Sequence, residues 1–247
     1  MIPLQRPAAP AYLAANAANE TNLLWGAWRA GLALTIKRSV YAHTQVKQAL
    51  REAQHDKCAY CETKSPRSHD VVEHYRPKQG WRQKPEMTLR RPEYFWLAYD
   101  WDNLVFACDM CNDGGHKQNL FPLSNPRSRA KPGNPNTDAE QPLIIDPYRE
   151  DPNRFIEWNA DIPRAKRRSR KGVATMNIFG LDRDQGLIDA RRGHFNLVQA
   201  ALQNAEGLAP TDGRRLETRD ILIEYLADSA PYAAMIRTSF RARIEAL

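Results

Sequence analysis

Two CxxC motifs, at residues 58–61 and 108–111, contain every cysteine of the chain. With two residues between them, both sulfur atoms of a tight turn can face one ion, and two such turns complete a tetrahedral shell of thiolates. A closed shell has no open coordination position, so the motifs predict a structural metal ion, with Zn²⁺ preferred. The predicted ligands are Cys58, Cys61, Cys108 and Cys111. A redox-active pair, four unrelated buried thiols and an iron–sulfur cluster are the alternatives.

A second group of chemically capable residues lies between and just after these motifs. Glu73 and His74 follow an apolar run, Asn103 precedes another apolar run, and Asn112 directly follows the second CxxC motif. Carboxylate and carboxamide oxygens suit Mg²⁺ or Mn²⁺, and a neutral imidazole can accept a proton near neutral pH. Metal-assisted hydrolysis of a phosphodiester can use both functions. Each residue taken singly is more often a solvated polar side chain or a turn residue.

The order of these residues resembles the HNH nucleases of the ββα-metal type. In that family two antiparallel strands and a helix surround one catalytic divalent ion. The resemblance implies that His74 is the general base and that Glu73 and Asn112 hold the divalent ion. It also implies that the Asn103 side chain ties down the long loop between the strands.

His116 is a further candidate ligand of the catalytic ion. It follows Asn112 by four residues, and positions i and i+4 share one face of a helix. Gly114 and Gly115 disfavour a regular helix at this point.

Additional segments resemble the PtuB-like nucleases of Septu-type anti-phage systems. The matching segments are KCAYCE (57–62), EHYRPK (73–78), WLAYDW (96–101), FPL (121–123), DP (146–147), IFGLDR (178–183) and ARR (190–192). The resemblance implies an endonuclease that cuts nucleic acid, DNA in preference to RNA, and works with a PtuA-like ATPase. Some related systems add a retron reverse transcriptase and its DNA.

The charge balance permits binding to nucleic acid without requiring it. Lys and Arg outnumber Asp and Glu by 36 to 29, giving a net charge of +7. The candidate phosphate contacts are Arg76, Lys78, Lys117, Arg164, Lys166, Arg167, Arg168, Arg170 and Lys171. The last six belong to a basic run at residues 164–171, which is equally compatible with a solvated loop.

Three rival functions remain compatible with these residues. A noncatalytic zinc module could bind nucleic acid, a scaffold subunit could dock a partner, and a toxin-like nuclease could cut tRNA. Cleavage that depends on a divalent ion and on His74 separates the enzyme from the first two.

The elements that must position these residues are predicted from apolar periodicity. Residues 1–22 are predicted to be an extended arm, followed by a helix and then a second helix from Thr44 to about Gln54, with Thr44 as N-cap. The apolar face of the first helix is predicted to comprise Trp25, Trp28, Leu32 and Ile36. Residues 124–142 are predicted to be a loop, and residues 143–158 a short buried strand, a turn and a second strand.

The predicted fold class is α+β, with a ββα-metal core and a four-cysteine zinc site in a mainly helical chain. The predicted divisions are an N-terminal arm with helices (1–56), the nuclease core (57–123), a loop-rich basic segment (124–171) and a C-terminal helical region (172–247). No membrane-spanning or secretory segment is apparent, and paired CxxC motifs favour metal over disulfides, so a cytoplasmic protein is expected.

Overall fold

A computed structural model describes residues 1–64, 71–112 and 115–247, which form helices and two separate two-stranded antiparallel sheets. The predicted α+β class is confirmed. The α-helices are α1 (Ala11–Arg29), α2 (Arg38–Tyr41), α3 (Thr44–Ala53), α4 (Asp109–Asn112), α5 (Arg170–Phe179), α6 (Gln185–Glu206), α7 (Gly213–Glu224) and α8 (Ala233–Glu245). The strands are β1 (Val71–His74), β2 (Leu104–Ala107), β3 (Ile156–Asn159) and β4 (Ile162–Ala165). Within the described ranges, no helix combines the length and apolarity needed to cross a bilayer.

Helix α1 begins earlier than predicted. Residues 1–10 contain no helix or strand, but the helix starts at Ala11, so the predicted extended arm is wrong for its second half. Alanine-rich sequence favours helix because alanine loses no side-chain entropy on folding.

The predicted apolar face of this helix is also shorter than expected. Leu32 and Ile36 lie beyond its end, and Leu32 is 66% exposed. Gly31, in a left-handed conformation at φ 67°, follows the last turn and redirects the chain. Trp25 and Trp28 do pack against buried aromatic rings, so the predicted face is correct for these two residues.

Helix α3 matches the prediction closely, with a different cap. It covers Thr44–Ala53, and Val46 and Leu50 are fully buried as expected. Thr44 lies inside the helix, and the N-cap is His43, whose Nδ1 accepts a hydrogen bond of 3.3 Å from the second backbone amide of the helix.

The first hairpin joins two strands that are distant in sequence. β1 and β2 pair antiparallel, with Glu73 opposite Val105 and His74 opposite Leu104. All four residues of β2 are buried, and the short helix α4 follows this strand almost directly. The two antiparallel strands are therefore followed by one short helix.

The segment 143–158 differs from its prediction in the first half. Ile144 and Ile145 are fully buried, as a buried strand would be, but they form no strand. The second half contains β3, which pairs with β4, so the basic run begins in β4 and ends in α5.

Two large clusters of apolar side chains organise the described residues. The first contains the β1–β2 hairpin, helices α1 and α3, and residues of α5 such as Met176 and Phe179. The second lies among α6, α7 and α8 and contains Ile236, Phe240 and Ile244, whose four-residue spacing predicts a helix. Helix α5 thus packs with the first cluster, although it lies near the predicted start of the helical region.

Gln54 joins helix α3 to the middle of β2. Its carboxamide accepts from the amide of Phe106 at 2.8 Å and donates to the carbonyl of the same residue at 2.8 Å. It also donates to the carbonyl of Lys57 at 3.0 Å and accepts from the Tyr148 hydroxyl at 3.0 Å. One buried side chain therefore fixes the helix, the strand and the approach to the first CxxC motif.

We predict that Gln54→Ala lowers the free energy of unfolding by about 2–4 kcal/mol, because it leaves the buried amide of Phe106 without its acceptor and removes three further side-chain hydrogen bonds. Thermal and denaturant unfolding followed by circular dichroism measure the change. The matched control is Gln48→Ala on the exposed side of α3, for which we expect a change within about 0.5 kcal/mol. Equal destabilisation by the two substitutions contradicts the role given to Gln54.

Candidate functional site

The four cysteines come together as predicted. Their Sγ atoms all lie within 4.8 Å of one another, and the Sγ atoms of Cys61 and Cys108 are 3.7 Å apart. Four thiols in this arrangement suit one tetrahedral metal ion, for which Zn²⁺ is the best match. The clustering excludes the alternative of four unrelated buried thiols.

Backbone hydrogen bonds bring the first CxxC motif beside the second. The amide of Cys58 donates to the Thr63 carbonyl at 3.0 Å, and Glu62, at φ 62°, reverses the chain between them. The amide of Ala59 donates to the Phe106 carbonyl at 3.1 Å, two residues before the second motif. Strand β2 therefore carries one motif at its end and anchors the other along its edge.

The surroundings of the cluster fit a negatively charged metal–thiolate centre. Burial raises the pKa of the Cys58 thiol well above its ordinary value, whereas hydrogen bonds from the other three thiols lower the pKa of Cys61. A buried thiolate needs a cation to offset its desolvation. Burial lowers the pKa of Arg191, and interaction with Cys61 opposes that effect. This guanidinium is 1% exposed and interacts electrostatically with Cys61.

The predicted oxygen ligands line one cavity. Glu73 on β1 and Asn112 on α4 both face a cavity of about 390 Å³. Asp109 lines the same cavity three residues before Asn112, as expected for neighbours on one helix face. The basic residues Arg38 and Lys78 also line it. The cavity thus combines oxygen donors with cations.

Glu73 is held by a buried lysine. Lys117, fully buried, forms an ion pair with Glu73 Oε1, and its Nζ donates to the His74 carbonyl at 2.7 Å. Among the described residues, Glu73 Oε2 has no hydrogen-bond partner. The lysine therefore orients the carboxylate and leaves one oxygen for another group. The sequence predicts that Lys117 contacts a phosphate. In the structure Lys117 is fully buried and paired with Glu73, so it is not available for that contact.

His74 is buried, and its ring is neutral. It is 1% exposed, and its Nε2 bonds to the Ala98 carbonyl at 2.9 Å. A carbonyl oxygen can only accept, so Nε2 carries the proton and Nδ1 is the basic nitrogen. Nδ1 has no hydrogen-bond partner among the described residues. Burial, reinforced by nearby Lys78, lowers the pKa of His74 well below its ordinary value and keeps the ring neutral.

Tyr41 connects His74 to the cavity that Glu73 and Asn112 line. Its ring meets the imidazole edge-on, with centroids 4.6 Å apart, and Lys78 Nζ lies 4.9 Å from the tyrosine ring centroid. Tyr41 itself lines the cavity. The imidazole therefore packs directly behind a cavity wall.

Asn103 makes the contacts expected of a loop-fixing residue. Its side-chain oxygen accepts from the amide of Arg76 at 2.7 Å, and its nitrogen donates to the carbonyls of Arg76 at 3.0 Å and Leu97 at 3.1 Å. The carboxamide thus joins the start and the end of the long connection between β1 and β2.

His116 lies elsewhere. Its Nε2 is 3.4 Å from Asp184 Oδ2, and the ring packs over Gly180, where an added Cβ would come within 2.4 Å of the imidazole. His116 lines two other cavities, and neither contains Glu73 or Asn112. Gly114, which was expected to disrupt the helix before His116, lies outside the described residues.

The two candidate phosphate-binding residues that follow His74, Arg76 and Lys78, lie in different surroundings. Arg76 is 6% exposed, and its Nε pairs with Glu140 at 2.8 Å. Its guanidinium therefore binds a buried carboxylate of the protein itself. Lys78 instead lines the cavity with Glu73 and Asn112.

The basic run is partly free to meet solvent. Lys171 pairs with Glu150 at 2.8 Å, and Lys166 donates to the Asn153 carbonyl at 3.2 Å. The exposed members are Arg164, Arg167, Arg168 and Arg170. These four guanidiniums remain candidates for contact with a phosphate backbone.

Sequence reasoning did not identify Arg38, Tyr41 and Asp109 as residues of the cavity. Asp109 carries a usable signal, because it lies inside a CxxC motif and three residues before Asn112. Arg38 and Tyr41 belong to the short helix α2 and reach the cavity only through tertiary packing.

We predict that the purified chain carries one zinc ion, and that Cys61→Ser loses it and unfolds at lower temperature, because metal binding contributes folding free energy. Elemental analysis and thermal unfolding measure both effects. The matched control is Met110→Ala, at an exposed position within the second motif, which should retain zinc. Similar zinc content in the two variants contradicts the assignment.

Comparison with known proteins gives one informative relative. The chain is 29% identical over 238 residues to the Septu protein PtuB of Bacillus mycoides (strain KBAB4), covering 93% of this chain and 76% of the relative. No protein-family model and no solved structure matches the chain. The similarity runs along almost the whole sequence and supports placing this chain in the PtuB-like family.

Proposed function

We propose that this protein is a metal-dependent HNH endonuclease that hydrolyses phosphodiester bonds of nucleic acid, DNA in preference to RNA. The supporting observation is the shared cavity of Glu73 and Asn112 beside a buried, neutral His74. In this proposal β1, β2 and α4 form the ββα-metal core.

The residues of the cavity fit a hard divalent cation. Glu73 Oε2 and the side-chain oxygen of Asn112 would hold it, and Asp109 would supply a third oxygen. Oxygen donors of this kind suit Mg²⁺ or Mn²⁺. When bound, such an ion polarises the phosphate and stabilises charge on the leaving oxygen.

His74 would act as the general base. Its Nδ1 would accept the proton of the attacking water once Tyr41, which packs against the imidazole and lines the cavity, shifts to admit that water, while the Nε2–H bond to Ala98 fixes the plane of the ring. The lowered pKa of His74 keeps Nδ1 free of a proton at neutral pH. Asn103 supports this arrangement by holding the loop that carries the Ala98 carbonyl.

Arg38 and Lys78 would attract the phosphodiester into the cavity. Both line it, and Lys78 is held over the Tyr41 ring. Burial lowers the pKa of Lys78, and Glu73 opposes this effect, so the lysine has a nearby negative partner. Cations placed at a reacting phosphate stabilise the charge that develops there.

The proposed biological setting is Septu-type anti-phage defence in the cytoplasm, with a PtuA-like ATPase as partner. The name of the relative, Septu protein PtuB, supports the setting. A retron reverse transcriptase and its DNA, found with some related nucleases, are a further proposed association.

We predict that His74→Ala lowers cleavage of plasmid DNA by at least about 10²-fold, because water loses its proton acceptor. Gel analysis of cleavage by the protein, alone and with its ATPase partner, measures the rate. The control is His55→Ala, at an exposed histidine remote from the cavity, which should cut at the wild-type rate. If folded His74→Ala cuts as fast as this control, the proposal is wrong. Tight binding without cleavage by the wild type, in Mg²⁺ and in Mn²⁺, would instead identify a noncatalytic module.

We predict that Glu73→Gln and Asp109→Asn raise the Mg²⁺ concentration required for half-maximal cleavage by about tenfold or more, because each removes a negative oxygen ligand. Titration of the cleavage rate with Mg²⁺ measures this shift. Asp220→Asn, at an exposed position on α7, is the charge-matched control and should leave the titration unchanged. An unchanged titration for Asp109→Asn removes that residue from the proposed ligand set.

A further inference from the structure

We propose that a second cavity, next to the proposed catalytic cavity, binds one nucleotide unit of the nucleic acid at a distance from the cleaved bond. The inference that the ligand is part of a nucleic acid rests on the proposed function. The inference that it is a nucleotide rests on the residues that line the cavity. The cavity measures about 500 Å³. This volume is within the range of sites that enclose small ligands.

Among the described residues that line this cavity, the charged side chains are all basic. Its lining includes the cations Arg82, Lys84 and Arg183 and the carboxamides Gln118, Asn119 and Asn177. No aspartate or glutamate occurs among the described residues that line it. Cations without a competing carboxylate attract an anion, and arginine is well suited to phosphate because it can donate two parallel hydrogen bonds.

Arg82 is fixed at the wall of the cavity by its backbone. Its amide donates to the Asn119 carbonyl at 2.8 Å, and its carbonyl accepts from the Phe121 amide at 3.0 Å. The Nε of Arg82 is buried and has no acceptor among the described residues. Buried donors are normally paired, so Arg82 carries an unused hydrogen-bond donor at a residue that lines the cavity.

The remaining lining suits a nucleobase. Carboxamides can form paired hydrogen bonds with the edge of a base, as asparagine and glutamine do with adenine. Leu120 and Ile178 supply apolar surface to the same cavity. Phosphate contacts and base contacts are thus available within one enclosure.

The second cavity shares a wall with the proposed catalytic cavity. The amide of Gln118, which lines the second cavity, donates at 2.9 Å to the carbonyl of Asn112, which lines the first. A nucleic-acid strand with one phosphate at Asn112 would therefore pass close to the second cavity.

The segment IFGLDR (178–183), one of those that resemble the PtuB-like nucleases, contributes to the wall of the second cavity. Ile178 and Arg183 line the cavity, and Gly180, at φ 60°, ends α5 and leaves room for the His116 ring. His116 in turn forms part of the wall. A side chain at position 180 would collide with that imidazole.

Binding of a fluorescein-labelled single-stranded DNA of about twelve nucleotides, measured by anisotropy, tests the proposal. The full chain carries His74→Ala so that the probe stays intact. In this background, Arg183→Gln and Lys84→Gln should each raise Kd about tenfold and reduce the salt dependence by about 0.7 in log–log slope, because each removes a phosphate contact. The matched control is Arg241→Gln, an exposed arginine on α8, which should change Kd by less than about twofold.

Competition with adenosine 5′-monophosphate tests whether one nucleotide unit fills the cavity. Displacement of the probe supports the proposal, whereas absence of displacement, with the Arg183→Gln and Lys84→Gln effects intact, overturns the nucleotide pocket and leaves only contacts to the phosphate backbone. Failure of wild-type protein to cleave, with the Arg183→Gln and Lys84→Gln effects intact, removes the proposed nuclease function and retains the cavity. Wild-type cleavage, with both variants binding like Arg241→Gln, overturns the cavity proposal.

Discussion

In the register of the first hairpin, Glu73 lies opposite Val105 and His74 opposite Leu104. Because successive side chains of a strand point to opposite faces, a slip of one residue would exchange the surroundings of the carboxylate and the imidazole. The register places Glu73 with Asn112 at one cavity and the His74 ring against Tyr41. The roles proposed for Glu73 and His74 depend on this antiparallel pairing.

A two-stranded hairpin is marginally stable by itself, so its register must be enforced from outside. The cysteine cluster lies at the end of β2, and Gln54 holds the backbone of Phe106 from helix α3. The buried carboxylate of Glu73 is neutralised at this hairpin by an ion pair with Lys117. Removing one partner of a buried pair leaves an uncompensated charge, so these contacts orient the site and resist its rearrangement.

Much of the fold and of the candidate site could be predicted from short-range patterns. The CxxC spacing predicted the cysteine cluster, and apolar periodicity predicted helices at α3 and α8. Glu73 and Asn112, which the sequence marks as candidate ligands, line one cavity, and their catalytic roles stay a prediction. These predictions succeed because a metal shell, a helix face and a strand each impose a regular spacing on the sequence.

The amino-acid sequence by itself determined the metal-binding residue types, their spacing and the α+β class. Only the tertiary structure decided that Asp109 and Arg38 share the cavity with Glu73, and that His116 does not. It also decided that Arg76 is buried against Glu140, 64 residues away. Local spacing can indicate which residues share a helix or strand face, but burial and ion pairing depend on segments that meet only when the chain folds.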